Sequence, residues 1–144
     1  MQKIKYFIPT IILMIIIFVF SNQTGTYSSG FSFKISQYLH HIFFFLPFDT
    51  LHFTIKKIAH MCEYALLLCS FYYSFSHCQL SYKKIYLFSI MSTFLYACSD
   101  EIHQLFINGR AGQVTDVCID TLGAFIALSI IYIIKKRNII VSFP

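Results

Sequence analysis

The sequence is poor in charge. Of its 144 residues only 12% are Asp, Glu, Lys or Arg, about half the share of an ordinary soluble domain. Hydrophobic residues make up 57% and the mean hydropathy is +0.67. This balance excludes a soluble globule that hides its apolar surface in its own core. Paired cysteines are missing too. Cys62, Cys69, Cys78, Cys98 and Cys118 form no C-x-x-C motif, and an odd count scattered through apolar runs excludes a disulfide framework. They are expected to be small buried apolar residues. There is no H-E-x-x-H, so zinc-protease chemistry lacks its motif. No internal repeat or low-complexity tract occurs. No A-x-A-like site follows the first apolar run, where Ser21-Asn22-Gln23-Thr24-Gly25 stands instead. That run reads as an uncleaved helix rather than a signal peptide.

What is there is apolar sequence in spanning lengths. A bilayer needs about 20 mainly apolar residues. Residues 4–20, 58–75, 85–102 and 117–134 qualify or come close. The expected fold is all-α: one domain, residues 1–144, built as a four-helix transmembrane bundle. Positive flanks orient it. Lys3, Lys5, Lys83, Lys84, Lys135, Lys136 and Arg137 fall on one side, and Lys34, Lys56, Lys57 and Arg110 on the other. Both termini are therefore expected in the cytoplasm of a multi-pass protein of the cell membrane. The net charge of +5 does not point to nucleic acid, because the lysines sit in short flanks of apolar runs. The partner is the lipid bilayer. In the first extracytoplasmic loop, residues 31–48 mix aromatics with polar residues, and 42–46 are too few to span. An interfacial or re-entrant helix ended by Pro47 is expected there.

All six acids fall on the extracytoplasmic side: Asp49, Glu63, Asp100, Glu101, Asp116 and Asp120. Burying an ionisable group in a bilayer costs several kcal/mol, so such residues face the bundle and carry function. On a helix, Lys57, His60, Glu63 and Tyr64 share one stripe. A structural seam gluing helices would use the same stripe. Asp100, His103 and Gln104 share another face, with Glu101 about 100° round. The loop holding Gly109 and Gly112 permits a tight turn. Arg110 in that loop offers a planar fork for phosphate or carboxylate, or a salt bridge to a local acid. Asp116, Asp120 and Gly123 align at the start of the last span. The helix dipole explains Asp116 well and Asp120 less well, and Gly123 permits close helix approach. The remaining histidines, His40, His41, His52 and His77, show no comparable partners and read as interfacial or loop residues.

These strings resemble the VanZ-like family of small bacterial membrane proteins. The resemblance runs in order over most of the chain. It is carried by Phe20-Ser21-x-Gln23, Lys57-x-x-His60-x-x-Glu63-Tyr64, Asp100-Glu101-x-His103-Gln104-x-Phe106-x-x-Gly109-Arg110 and Asp116-x-x-x-Asp120-x-x-Gly123. Ala127 stands where the family often has a glycine. The resemblance implies a multi-helix protein of the cell envelope. It also brings the teicoplanin (glycopeptide) resistance of the family's founder, an antibiotic-resistance role that many members do not share.

Three readings stay open. In the first, an outward polar cleft binds or acts on a lipid-linked or cell-wall precursor. His60, Glu63, Glu101 and His103 are then the candidate acid–base residues. Lys57, Tyr64, Asp100, Gln104, Arg110, Asp116 and Asp120 are candidates for holding substrate. In the second, His60 with Glu63 and Asp100 with His103 supply ligand pairs for a metal-binding hydrolase. The spacing names no metal and no cofactor. In the third, the polar residues form a structural network in a non-enzymatic scaffold or interaction protein.

Overall fold

The computed structural model describes residues 3–141, with the side chains of all of these but 25–29, 31 and 138–141. Among the described residues every regular element is helical. A short 3-10 turn, Ile4–Phe7, leads into α1, Ile8–Ser21, with Pro9 in its first turn, where the missing N–H of proline costs nothing. Then come α2, Gly25–His40; α3, Phe48–Ser76; α4, Tyr82–Gln104; and α5, Val114–Val141. By length and composition two helices are apolar enough to cross a membrane, Ile4–Ser21 and Val114–Arg137. Helices α3 and α4 are long enough, at 29 and 23 residues, but are interrupted by the charged residues of the expected site. The sixteen residues of α2 reach only about 24 Å, short of a bilayer core.

The helix expected to end at Pro47 ends instead at His40. Residues 42–46 form turns, and Pro47, with extended ψ of 134°, caps the start of α3. Helix α3 thus begins ten residues before the expected span. Its hydrophobic pattern alone hid this, since the first turns carry Asp49, Thr50 and Thr54 among the aromatics.

The bundle is built around α3, which packs against each of the other four α-helices, most extensively against α5. Consecutive long helices run antiparallel. Lys3 reaches Gln79, and the Lys135 ammonium lies 5.5 Å from the ring centre of Tyr72 and 5.3 Å from that of Tyr82. The starts of α1 and α4 and the ends of α3 and α5 therefore share one end of the molecule. One apolar core joins Ile17, Tyr64, Leu67, Phe71 and Ala97 across α1, α3 and α4; another joins Leu68, Ala124 and Ala127 between α3 and α5.

The distribution of polarity is inside-out relative to a soluble protein. Ile8, Ile11, Ile12, Ile15, Ile16, Val19 and Phe20 of α1 are all exposed, while Thr10, Ser70, Ser74, Ser89 and Thr93 are buried. Large apolar side chains outside and small hydroxyls between helices are the packing expected in lipid. The cysteines follow the same rule and depart from the expectation of burial. All five are free thiols; Cys62, Cys69 and Cys118 are exposed and the other two half-buried. As small apolar groups they sit on faces that lipid, not protein, covers.

Gly123 fixes the closest helix contact. A Cβ there would lie 2.3 Å from the carbonyl oxygen of Met61. The backbones of α3 and α5 meet at this point, one residue from His60 and three from Asp120, and so bring those two side chains together.

Candidate polar cleft and acid–histidine cluster

At the end of the bundle opposite the N-terminus, α3 starts, α4 ends and α5 starts. Residues 105–113 link α4 to α5 and fold back over this end. Gly109 takes the left-handed φ of 75° that a non-glycine residue rarely adopts. Gly112 lies against α4 so closely that a Cβ would come within 2.2 Å of the Glu101 carbonyl oxygen. That approach lets the backbone N–H of Gln113 donate to Glu101 Oε2 at 2.9 Å. Sequence reasoning missed Gln113, because a backbone donor leaves no mark in a residue pattern.

The loop also carries Arg110, which makes contacts that the sequence reading did not anticipate. Its Nε donates to the Gln23 carbonyl and its Nη2 to the Phe20 carbonyl, both at 2.9 Å. The guanidinium thus ties the loop to the last turn of α1 and the residues just after it. Burial lowers its pKa, while Asp100, Glu101 and Glu63 act in the opposite sense.

A cavity of about 710 Å³ opens beside this clamp. Ile17, Phe20, Ile35, Ile55 and Ala59 give it apolar walls; Lys34, Lys56 and Arg110 line it as cations; His60, Glu63 and Asp100 supply acid–base groups. Lys56 is the lysine that sequence reasoning passed over. It lies four residues before His60, as much in line with His60 as Lys57 is. Lys57 instead forms a salt bridge with Asp116, drawing both into a private pair. Lys56 is left in the cavity wall, where burial first, then Arg110 and Lys57, hold its ammonium below the usual lysine range.

Beneath the cavity lies a second arrangement. His60 of α3, Glu101 of α4 and Asp120 of α5 bring one nitrogen and two carboxylate oxygens within 4.8 Å of one another. Asp120 is 0% exposed and Glu101 5%. His60 Nδ1, Glu101 Oε1 and both Asp120 oxygens are buried without a hydrogen-bond partner. The His60 Nδ1 to Asp120 Oδ1 separation is 3.6 Å, beyond hydrogen-bonding range.

The other anticipated residues divide. Asp100 and Gln104 are buried together, with Gln104 Nε2 donating to Asp100 Oδ2 at 3.1 Å, and the fully buried Tyr64 lies beside Asp100 within the apolar core. These three form a supporting network. His103 turns away to lie against Phe18, ring centres 4.8 Å apart, so Glu101 and His103 do not form a joint acid–base pair. Among the described residues the atoms that come together are one from each of three helices, His60, Glu101 and Asp120, rather than the anticipated pairs 60 with 63 and 100 with 103. Two histidines thought to lack partners have them. His52 Nε2 lies 2.9 Å from Ser32 Oγ, and His77 stacks on Tyr6 at 3.9 Å.

Residues 6–135 match the pattern of the VanZ/LLP1 family. The chain belongs to that family. The VanZ/LLP1 match and the two apolar helices make it a membrane protein. No curated protein matches the chain, and no solved structure matches it.

Proposed function

We propose that this VanZ-like protein crosses the cell membrane four times, with both termini in the cytoplasm, and that its outward cleft binds the anionic head of a lipid-linked or cell-wall-related molecule. Supporting the topology, the long helices alternate in direction, and Lys3, Lys5, Lys83, Lys84 and Lys135 gather at the end opposite the cleft, as the positive-inside rule requires. Helices α3 and α4, whose ends carry the acids, meet the length of a span once their polar ends reach the headgroup layer.

The single observation that carries the binding role is the composition of the 710 Å³ cavity. Three cations stand beside apolar walls, and among the described residues neither Lys34 nor Lys56 enters a salt bridge. Such a site matches an amphiphile, with phosphate or carboxylate on the cations and chain along Ile17, Ile35 and Ile55. His60 and Glu63 in the same wall are placed to exchange protons with a bound head group. Glycopeptide susceptibility is the phenotype through which the family's founder suggests following it in cells.

The test uses purified protein in nanodiscs of zwitterionic lipid, probed with a polyprenyl phosphate and with the uncharged polyprenol. Wild type is expected to bind the phosphate at least tenfold more tightly. Lys56→Ala is expected to weaken phosphate binding about tenfold, the loss of one charge-assisted contact of about 1.5 kcal/mol. Equal binding of phosphate and alcohol by the wild type would overturn the proposal.

A further inference from the structure

The charge balance below the cavity does not close. Glu101 and Asp120 are buried on neighbouring helices with His60 between them. Among the described residues no lysine or arginine forms a salt bridge with Glu101 or Asp120; Lys57 pairs with Asp116, and Arg110 donates to the carbonyls of α1. One Glu101 oxygen has the Gln113 N–H. The other, both oxygens of Asp120 and the His60 nitrogen are buried without a hydrogen bond, and His60 Nδ1 faces Asp120 Oδ1 at 3.6 Å, an ion pair only when the imidazole is protonated. A buried carboxylate stripped of partners costs several kcal/mol. A protein holds such a group either protonated or with a cation completing the site.

The donor set says what that is. Four unpartnered atoms, all able to accept and none donating when the imidazole nitrogen is unprotonated, are a ligand set for a cation and not for an anion. Two ligands about 2.1 Å from a tetrahedral ion stand about 3.4 Å apart. The 3.6 Å between His60 Nδ1 and Asp120 Oδ1 is too long for a hydrogen bond and close to that edge. The Gln113 N–H also orients the Glu101 carboxylate, as a donor behind a metal's ligands does.

We propose that His60, Glu101 and Asp120 bind a divalent transition-metal cation. One imidazole and two carboxylates suit Zn2+, Mn2+ or Fe2+, and discriminate against ions that take oxygen ligands alone. Three protein ligands leave coordination positions open, as reactive sites do and closed structural sites do not. His60 belongs to both the cluster and the cavity wall, so the open side faces the cavity. The inference goes beyond lipid-head binding and is independent of it.

The test is made on full-length protein purified in detergent, stripped with chelator and titrated with ZnCl2, MnCl2 and MgCl2, with no lipid phosphate present. Wild type is expected to take up about one equivalent of Zn2+ or Mn2+ and to bind Mg2+ far more weakly. Asp120→Asn and Glu101→Gln are each expected to weaken binding at least about 100-fold. Glu101→Gln keeps an acceptor for the Gln113 N–H and so guards against loss through misfolding. Asp49→Asn, an exposed acid remote from the cluster, is expected to bind as wild type does. Chelator is expected to lower the melting temperature of wild type and not that of Asp120→Asn. Failure of wild type to bind either transition metal, or equal binding by Glu101→Gln and wild type, would sink the proposal. Since Lys56→Ala probes phosphate and not metal, the two proposals can fail separately.

Discussion

The two ends of this bundle are both polar, and they solve the problem of polarity in opposite ways. At the N-terminal end hydroxyls close on one another. Thr10 Oγ1 and Ser74 Oγ lie 2.8 Å apart, Ser74 also reaches the Tyr6 carbonyl at 2.8 Å, and His77 bonds the Tyr73 carbonyl at 2.8 Å. Further along α1, Tyr96 donates to the Met14 carbonyl at 2.6 Å. At the cleft end, the carboxylates of Glu101 and Asp120 are equally buried, beside the half-buried His60 imidazole, and three of their four oxygens accept no hydrogen bond. Hydroxyls can donate and accept, so a small set satisfies itself and serves as glue between helices. Ionised carboxylates only accept, so a set of them needs something from outside. On the proposals above, the difference separates a polar seam that packs helices from one that takes a ligand.

The comparison can be broken most severely at Gly123. Gly123→Val places side-chain atoms where the Met61 backbone lies. It is expected to cost about 3 kcal/mol, the upper end for overpacking, because the obstacle is backbone. Denaturant titration in detergent should show it, with loss of metal uptake in whatever folded protein remains, because His60 and Asp120 are pushed apart.

A smaller effect is expected at the Lys57–Asp116 salt bridge of the cleft end. Lys57 and Asp116 are mostly buried, with side-chain exposures of 20% and 15%. Removing either alone should cost about 2 kcal/mol, between surface and fully buried pairs. In a double-mutant cycle the Lys57→Met, Asp116→Leu protein should recover part of that loss. Additive losses would mean that the pair is not coupled.

The smallest effect sharpens the contrast. Ser74→Ala removes a hydroxyl whose partners keep other options, and is expected to cost about 1 kcal/mol. Metal uptake and phosphate binding should stay at wild-type values. A change in either would mean that the two ends are not the separate devices described above.

Much of the cleft was readable from residue spacing. The stripe rule brought His60 and Glu63 to one helix face, and the preference of buried charges for each other brought Glu101 and Asp120 to the same end. What spacing could not decide was set by tertiary neighbours. Lys56 and Lys57 are equally plausible as cleft residues until α5 presents Asp116 to one of them. Arg110 could have met any of several acids, and its carbonyl partners at Phe20 and Gln23 are invisible in a list of side chains. Pro47 reads as a stop after a run of phenylalanines and as a start before Phe48 with equal ease, because proline suits either boundary. The side by which His103 leaves α4 was decided by Phe18, a residue 85 positions earlier in the chain.

The clamp on α1 has a consequence for synthesis. Arg110 emerges 90 residues after Phe20, and Ser74 emerges 64 after Thr10. At about 5–20 residues per second, α1 waits roughly 5–18 s between its own appearance and the arrival of Arg110. During that interval the carbonyls of Phe20 and Gln23 lack the guanidinium. The tie on the first helix therefore cannot close until α2, α3 and α4 have been made, with α5 still to follow.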